Sequence, residues 1–402
     1  MSVRASVEAE ARQAYGRVLA LLAARSGDLA TAEDMLADAL VAALERWPQD
    51  GVPANPQAWL LTVARRRAID RSRRRMRHDA AQAELMRMHE EAEAMMNADL
   101  LFPDERLGLM LACAHPAIEE AARTPLMLQV VLGLTAERMA PVFLTSPAAM
   151  TKRLVRAKVK LAASGIGFAV PGHEDLAPRL AHLLDAIYAA FTLARDASRQ
   201  ADLEGEALWL GQLVVYLVPE EPEALGLYAL MLFVSARPSM ATQGHYVPLG
   251  EQDLTTWNEA ATIRAEQWLH TAGAMAQPGR FQLEAAIQAV HANRRRSGRT
   301  DWDTILHLYD SLLALAPTVG ARVARAAALT QTGDHAAALA ALDAIEDQRI
   351  AAHQPYWATR AHVLAALEEA SEAADAYQRA AGLASQPEVR SWLLARRAAL
   401  AN

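Results

Sequence analysis

From end to end the chain repeats one pattern. Alanine- and leucine-rich runs carry apolar residues at three- and four-residue spacing, broken by short clusters of proline, glycine and serine. Alternating β-branched stretches are scarce, and aromatics make up only 5% of residues while apolar residues make up 52%. A sheet needs period-two runs of Val, Ile, Thr and aromatics, whereas amphipathic helices need what is present here. The predicted fold class is all-α. The length of 402 residues allows two to three domains, each with room for its own core.

One stretch stands apart in charge. Asn55 and Pro56 give a helix-start signal. Trp59, Leu60, Val63, Ala64 and Ile69 then recur at helical spacing. Around them lie Arg65, Arg66, Arg67, Arg71, Arg73, Arg74, Arg75 and Arg77, with Asp70 the only acid. That segment carries a net +7 in a chain whose total is −7, so everything outside it sums to −14. Two or three arginines would merely favour a helix C-terminus. Eight repel one another unless an anion screens them, which points to a bound polyanion.

Other chemistries find little support. A single cysteine, Cys113, excludes an internal disulfide and a thiolate zinc cluster, and its apolar neighbours make it a core residue. The twelve histidines have no ligand-like spacing. No Ser-His-Asp set, metal motif or phosphate-binding glycine loop is present. The expectation is therefore a non-enzyme without cofactors or metal. The N-terminus lacks the apolar core of a signal peptide, and the longest apolar run, 225–236, is too short to span a bilayer, so a cytoplasmic protein without membrane contact is expected.

Residues 5–47 read as two helices, one over about 6–25 and a second to Trp47, separated by Ser26, Gly27 and Asp28. On the second, Leu36, Leu40, Val41 and Leu44 form one face, while Glu33, Asp34 and Asp38 lie on another. Acids at a helix start compensate its dipole, and they also suit docking to a basic partner. Residues 79–99 are polar and methionine-rich, a helix or a linker. Beyond them the pattern predicts helices over 103–115, 118–122, 124–132 and 136–144. Pro141 falls inside the last, where it removes a backbone hydrogen bond.

Thr145, Ser146 and Pro147 form a capped helix start. The helix that follows is expected to bury Met150, Leu154 and Leu161, and to expose Thr151, Lys152, Arg153, Arg156, Lys158 and Lys160. Helix, glycine turn, helix, cap and basic helix is the outline of a helix-turn-helix, and equally of an αα-hairpin with a basic face.

The glycine- and proline-rich run 165–178 marks a boundary. Helices are expected over 179–194, 201–217, 222–235, 257–272 and 281–292, then a basic loop over 293–299 and a helix capped by Asp301. Gln282, Glu284 and His291 interrupt an apolar helix and are expected to fix helix packing. Residues 333–342 parallel 368–377 at a step of about 35, with Ala338 matching Ala373. That is close to the tetratricopeptide (TPR) period.

The front of the chain resembles the extracytoplasmic-function (ECF) sigma factors of the sigma-70 family. Region 2 is matched by Ala32-Glu33-Asp34 with Asp38, by 55–60 and by Val63-Ala64-Arg65, Ala68-Ile69-Asp70 and the arginines behind. Region 4 is matched by His115-Pro116, Gly133-Leu134-Thr135 and 153–158. The extension is similar to an ECF group with a long TPR-like C-terminal domain, through 183–188, 222–232, 279–291 and 300–302. It departs at Phe191-Thr192-Leu193-Ala194, where many relatives have Asn-Glu-Gly-Tyr. Arg66 stands where the family often has Asn.

The resemblance implies four segments: region 2 over 1–78, a linker over 79–100, region 4 over 101–170 and a regulatory extension over 171–402. It implies contact with the RNA polymerase core, at its β′ subunit and β flap, and with promoter DNA. Glu33, Asp34 and Asp38 would bind the polymerase. Asn55, Trp59, Arg65, Arg66, Arg67, Asp70, Arg71, Arg73 and Arg74 would melt and hold the −10 element. Ser146, Ala148, Ala149, Thr151, Lys152, Arg153, Arg156 and Lys158 would read the −35 element. The extension would contact its own sigma domains or another regulatory protein. Two other readings of the residues stay open: a conventional helix-turn-helix regulator, and a TPR-type scaffold that binds RNA or acidic proteins.

Overall fold

In a computed structural model of the chain, the structure describes residues 3–73, 105–143, 145–168, 171, 173–196, 201–238 and 245–400. Among these, every regular element is helical, as the composition requires. The helices fall into two compact units, residues 1–190 and 191–402.

The first unit begins with α1 (Val3–Ser26) and α2 (Leu29–Asp50). Gly27 takes a left-handed φ of 68° between them, and Asp28 caps α2 by accepting from Thr31 N–H at 2.9 Å. The buried stripe of α2 is Leu29, Ala32, Leu36, Ala39, Ala43 and Trp47. Leu36, Leu40, Val41 and Leu44, expected to share one face, differ in burial: Leu36 is fully buried, whereas Val41 and Leu44 are exposed, at 50% and 43%. Alanines take the inward positions because α1 and α2 approach closely. The helix also runs past Pro48, whose missing N–H falls in the last turn.

Asn55 starts α3 (Pro56–Arg73) as expected, its Oδ1 accepting from Ala58 N–H at 3.0 Å. Next come α4 (Glu105–Cys113) and α5 (Glu120–Leu132). Two helices had been expected over 118–132. One forms instead and passes through Pro125. The carbonyl that Pro125 cannot serve, Ala121 O, accepts from Arg153 Nη1 at 3.3 Å.

Gly133 then turns the chain with φ 62°, closing a Schellman-type turn in which Leu134 N–H donates to Leu128 O. Only a single turn, α6 (Ala136–Met139), follows. The longer helix expected to Leu144 ends before Pro141. Ser146 caps α7 (Pro147–Ala163), its Oγ accepting from Ala149 N–H at 3.2 Å. Met150, Leu154, Ala157 and Leu161 face inward at spacings of four, three and four.

Helix α8 (His173–Asp196) starts before Pro178 and crosses the division between the units. Its Arg179 is buried and donates to Leu111 O in α4, so the N-terminal half of α8 is part of the first unit.

The second unit continues with α9 (Ala201–Leu217) and α10 (Pro222–Ser235). Almost every residue of α10 is buried, which makes it the central helix. It packs on α9, α11 (Glu259–Ala274) and α12 (Arg280–Ser297). Two glycines set the fit of α10 to α12. A Cβ on Gly226 would sit 2.7 Å from Gln282 N, and one on Gly279 only 2.2 Å from the Glu223 carboxyl carbon. The Glu223 carboxylate accepts from Phe281 and Gln282 N–H, capping α12 from another helix, and burial pushes its pKa up.

Of the polar residues of α12, Gln282 and His291 meet neighbouring helices, whereas Glu284 pairs within its own helix. Gln282 donates to Gln277 O at 2.7 Å, Glu284 pairs with Arg280 at 2.8 Å, and the His291 ring meets Trp302 edge-on at 5.4 Å. The expected basic loop is instead the last turn of α12, ended by Gly298 with φ 74°. Its arginines are tied internally. Arg294 donates to the carbonyls of Leu249, Gly250 and Gln252, Arg295 pairs with Glu259, and Arg296 with Glu266.

Antiparallel helices complete the unit: α13 (Trp302–Leu315), α14 (Val319–Gln331), α15 (His335–Asp343), α16 (Gln354–Ala366), α17 (Ala370–Leu383) and α18 (Pro387–Ala399). Asp301 caps α13 as expected. The matched repeat alanines Ala338 and Ala373 are both fully buried, each in its own cluster.

Candidate polymerase and nucleic-acid interface

Three helices of the first unit carry the residues singled out in the sequence. On α2, Asp34 is exposed, while Glu33 and Asp38 are half-buried. Asp34, Ala37, Val41, Leu44 and Glu45 share the exposed side, an apolar face with acid at both ends. Exposed Val and Leu beside carboxylates have the make-up of a protein-docking face. The sequence pattern groups both with Leu36 on one face and does not separate the buried from the exposed.

On α3 the candidates separate by burial. Trp59 is half-buried and packs edge-on against the fully buried Trp47, ring centres 5.4 Å apart. Arg65 is only 8% exposed, whereas the next residue, Arg66, is exposed. Asn55 holds the start of the helix. Arg67, Asp70, Arg71 and Arg73 belong to the helical backbone, but their side chains lie outside the described set, and Arg74 lies outside the described residues altogether.

On α7, Ser146, Ala148, Ala149, Thr151 and Lys152 are exposed around the helix start. Two of the cations are engaged within the protein, Arg153 at Ala121 O and Lys158 at Glu33, where Nζ lies 2.6 Å from Oε1. Lys152, Arg156 and Lys160 remain exposed at a spacing of four, one stripe along the helix. Lys160 was expected to be exposed, as it is, but was not among the residues expected to read the −35 element.

The Glu33–Lys158 pair lies at a groove of about 580 Å³ lined by Leu40 and Leu44 of α2, Tyr15 of α1, the turn after α5, and Thr151 and Lys158 of α7. Burial, with Glu33 adding to it, pushes the Tyr15 phenol up to about 12. Cys113 is fully buried, as expected, and burial pushes its thiol up to about 12. Among the described residues no three acids, histidines or cysteines converge on a metal-sized site, and no helix is long and apolar enough to cross a membrane.

Helices α1 to α3 coincide with a match to sigma-70 region 2, which covers residues 11–78. The chain carries a sigma-70 region 2 domain, which supports a sigma-70 family factor. That domain supports a role in transcription initiation and implies core RNA polymerase and promoter DNA as partners. Factors of this family are not themselves enzymes. A second match, to a family of unknown function (DUF6596), covers residues 179–273 of this chain. The chain is also 34% identical over 392 residues to an uncharacterized protein of Rhizobium meliloti (strain 1021), covering 95% of this chain and 92% of that one. No solved structure matches.

Proposed function

We propose that the chain is an ECF-type sigma factor with a regulatory module fused behind its promoter-binding domains. The observation that carries this is the region 2 match, which falls on the helices holding the acidic docking face and the arginine-rich segment.

The exposed face of α2, with Asp34, Val41 and Leu44, docks on the β′ subunit, while Glu33 and Asp38 flank it. The arginines of α3, from Arg66 onward, grip the phosphates of the melted −10 strand, and Trp59 borders the site where unstacked bases sit. Arg65, being buried, positions α3 rather than touching phosphate.

Helix α7 acts as region 4. Ala148, Ala149, Thr151 and Lys152 meet base edges of the −35 element, and Lys152, Arg156 and Lys160 hold the backbone. Residues from 191 onward form a TPR-like helical module that binds the sigma domains or another regulatory protein. The fully buried Ala338 and Ala373, at matched positions of the repeat, support that reading.

The test is gel filtration of the full chain with purified core RNA polymerase. Co-elution is expected, weakened by Asp34→Lys. A chain that stays apart from polymerase but binds duplex DNA tightly alone is a conventional helix-turn-helix regulator. One that stays apart and binds RNA or acidic proteins without regard to promoter sequence is a scaffold. For the module, a chain ended between Asp196 and Ala201 keeps Arg179 and all of α8. Unchanged promoter choice and activity in that truncation would remove the regulatory role.

A further inference from the structure

One segment of the second unit reaches across it. Between α10 and α11 the chain leaves and returns at a single neck, where Asn258 N–H donates to Ala236 O at 2.7 Å. Arg237 secures the neck. Its Nη2 donates to Gln288 Oε1 at 2.8 Å, and its guanidinium lies 5.6 Å from the centre of the buried Trp257 ring. Beyond the neck, residues 245–252 run as a strap, extended at Pro248 and Gln252 around one 3₁₀ turn, Leu249–Glu251. Arg294 on α12 donates to the Leu249, Gly250 and Gln252 carbonyls of that turn. At the other end the Tyr246 ring meets Trp392 of α18 edge-on, with ring centres 5.2 Å apart. The strap lies within the stretch matched to DUF6596, and α18 lies beyond it.

Helices α12 to α17 pair as hairpins that stack in chain order, and α18 follows them. In such a stack the first helices of the hairpins, α12, α14 and α16, form one layer that α18 extends. A segment that touches both α12 and α18 therefore spans this layer from start to end. The strap is imperfectly satisfied where it lies. Gln252 Nε2 donates to Val247 O within the strap at 3.2 Å, but Gln252 Oε1 is buried with no donor among the described residues. Burying that oxygen opposes docking of the strap, and releasing the strap would recover the cost.

We propose that residues 245–252 are a displaceable occupant of this layer, and that the surface from Arg294 to Trp392 binds a short segment of another protein in their place. The strap shows the chemistry that such a segment needs. It must offer an aromatic side chain to Trp392 and a tight turn whose carbonyls face Arg294. The ring supplies contact area at low entropic cost, and the guanidinium fork fixes the register of the turn. The strap competes from within the chain at the high effective concentration that its short tether imposes, so the partner binds well only when the strap is released. The proposal deepens the reading of residues from 191 onward as a protein-binding module, and it does not depend on the sigma assignment of the first unit.

The test uses the full chain and a fluorescent peptide of residues 245–252, His-Tyr-Val-Pro-Leu-Gly-Glu-Gln. In a strap-replaced chain the same positions become glycine and serine at unchanged length. That chain should bind the peptide about tenfold more tightly than the wild type, or better. Trp392→Ala in the strap-replaced chain should abolish binding, as should Tyr246→Ala within the peptide. Equal binding by the two chains, binding by neither, or binding indifferent to Trp392→Ala would overturn the proposal. If the strap-replaced chain loses helix content, hydrogen exchange of Tyr246→Ala in the full chain decides. Faster exchange confined to 245–252, at an unchanged melting temperature, supports a displaceable strap. Faster exchange throughout α12 and α18 with a lower melting temperature would make the segment a structural brace and overturn the proposal, as would no change at all. Neither readout involves polymerase or DNA, so failure here and failure of the sigma assignment are distinguishable.

Discussion

Lys158 Nζ and Glu33 Oε1 lie 2.6 Å apart although 125 residues separate them in sequence. The pair ties the most acidic helix of the first unit to its most basic described recognition surface. Each side chain is a quarter to a third exposed, so salt and water limit the attraction.

Lys158→Ala is therefore expected to lower the stability of the first unit by at most about 1 kcal/mol at low salt, and by less at high salt. Urea denaturation at two ionic strengths measures this. A loss several times larger would mean that the pair is a principal contact of the first unit.

Arg153 and Arg156 are three residues apart and should behave oppositely. Arg153→Ala leaves Ala121 O, freed by Pro125, without its protein donor, at a cost of about 1 kcal/mol, and should leave the salt dependence of DNA binding alone. Arg156 is exposed, so Arg156→Ala should change stability by less than about 0.5 kcal/mol and lower the salt slope of binding by about 1. Paired denaturation and salt-titration measurements on the two variants check both.

Gly226→Ala sets two effects against each other. Helix propensity favours alanine by about 1 kcal/mol. The added Cβ, 2.7 Å from Gln282 N, forces α10 and α12 apart, at about 1–3 kcal/mol. The contact should win because backbone lies opposite, so the second unit should melt at lower temperature. A rise in melting temperature would show that the two helices slide apart freely.

His291 should make the second unit sensitive to acid. Burial first, then Arg237 and Arg294, holds its imidazole down at about 4. In the unfolded chain the ring takes a proton near pH 6.5, while the folded ring stays neutral. The folded state thus keeps its full stability above pH 6.5 and loses, on the order of, 3 kcal/mol as pH falls to about 4. His291→Phe retains an edge-on ring against Trp302 and has nothing to titrate. Its stability should fall less than the wild type's between pH 7 and pH 5, measured by urea unfolding at both.

Much of this was legible beforehand because it is local. Asp28, Asn55, Ser146 and Asp301 cap helices in the structure as their neighbours in sequence require. What sequence misjudged depends on partners far along the chain. Val41 and Leu44 share a sequence-predicted face with the buried Leu36, yet they are exposed because alanines make the close α1–α2 contact. Pro125 looked like a helix start, yet the helix runs through it because Arg153 serves the freed carbonyl. The internal partners of Arg153 and Lys158, Ala121 and Glu33, lie 32 and 125 residues away, beyond the reach of any local pattern. Gly16 gave no local signal at all, since its role is an approach to Val131 in another helix.

The central claim is tested most directly by transcription from promoter-bearing genomic fragments, using purified core polymerase with and without the full chain. The account predicts transcripts with discrete start sites that require the chain. They should disappear when Arg66 and Arg67 are neutralised together, and weaken when Lys152, Arg156 and Lys160 are replaced by glutamine. If core polymerase gives the same unspecific products whether or not the folded chain is present and bound, the account is contradicted.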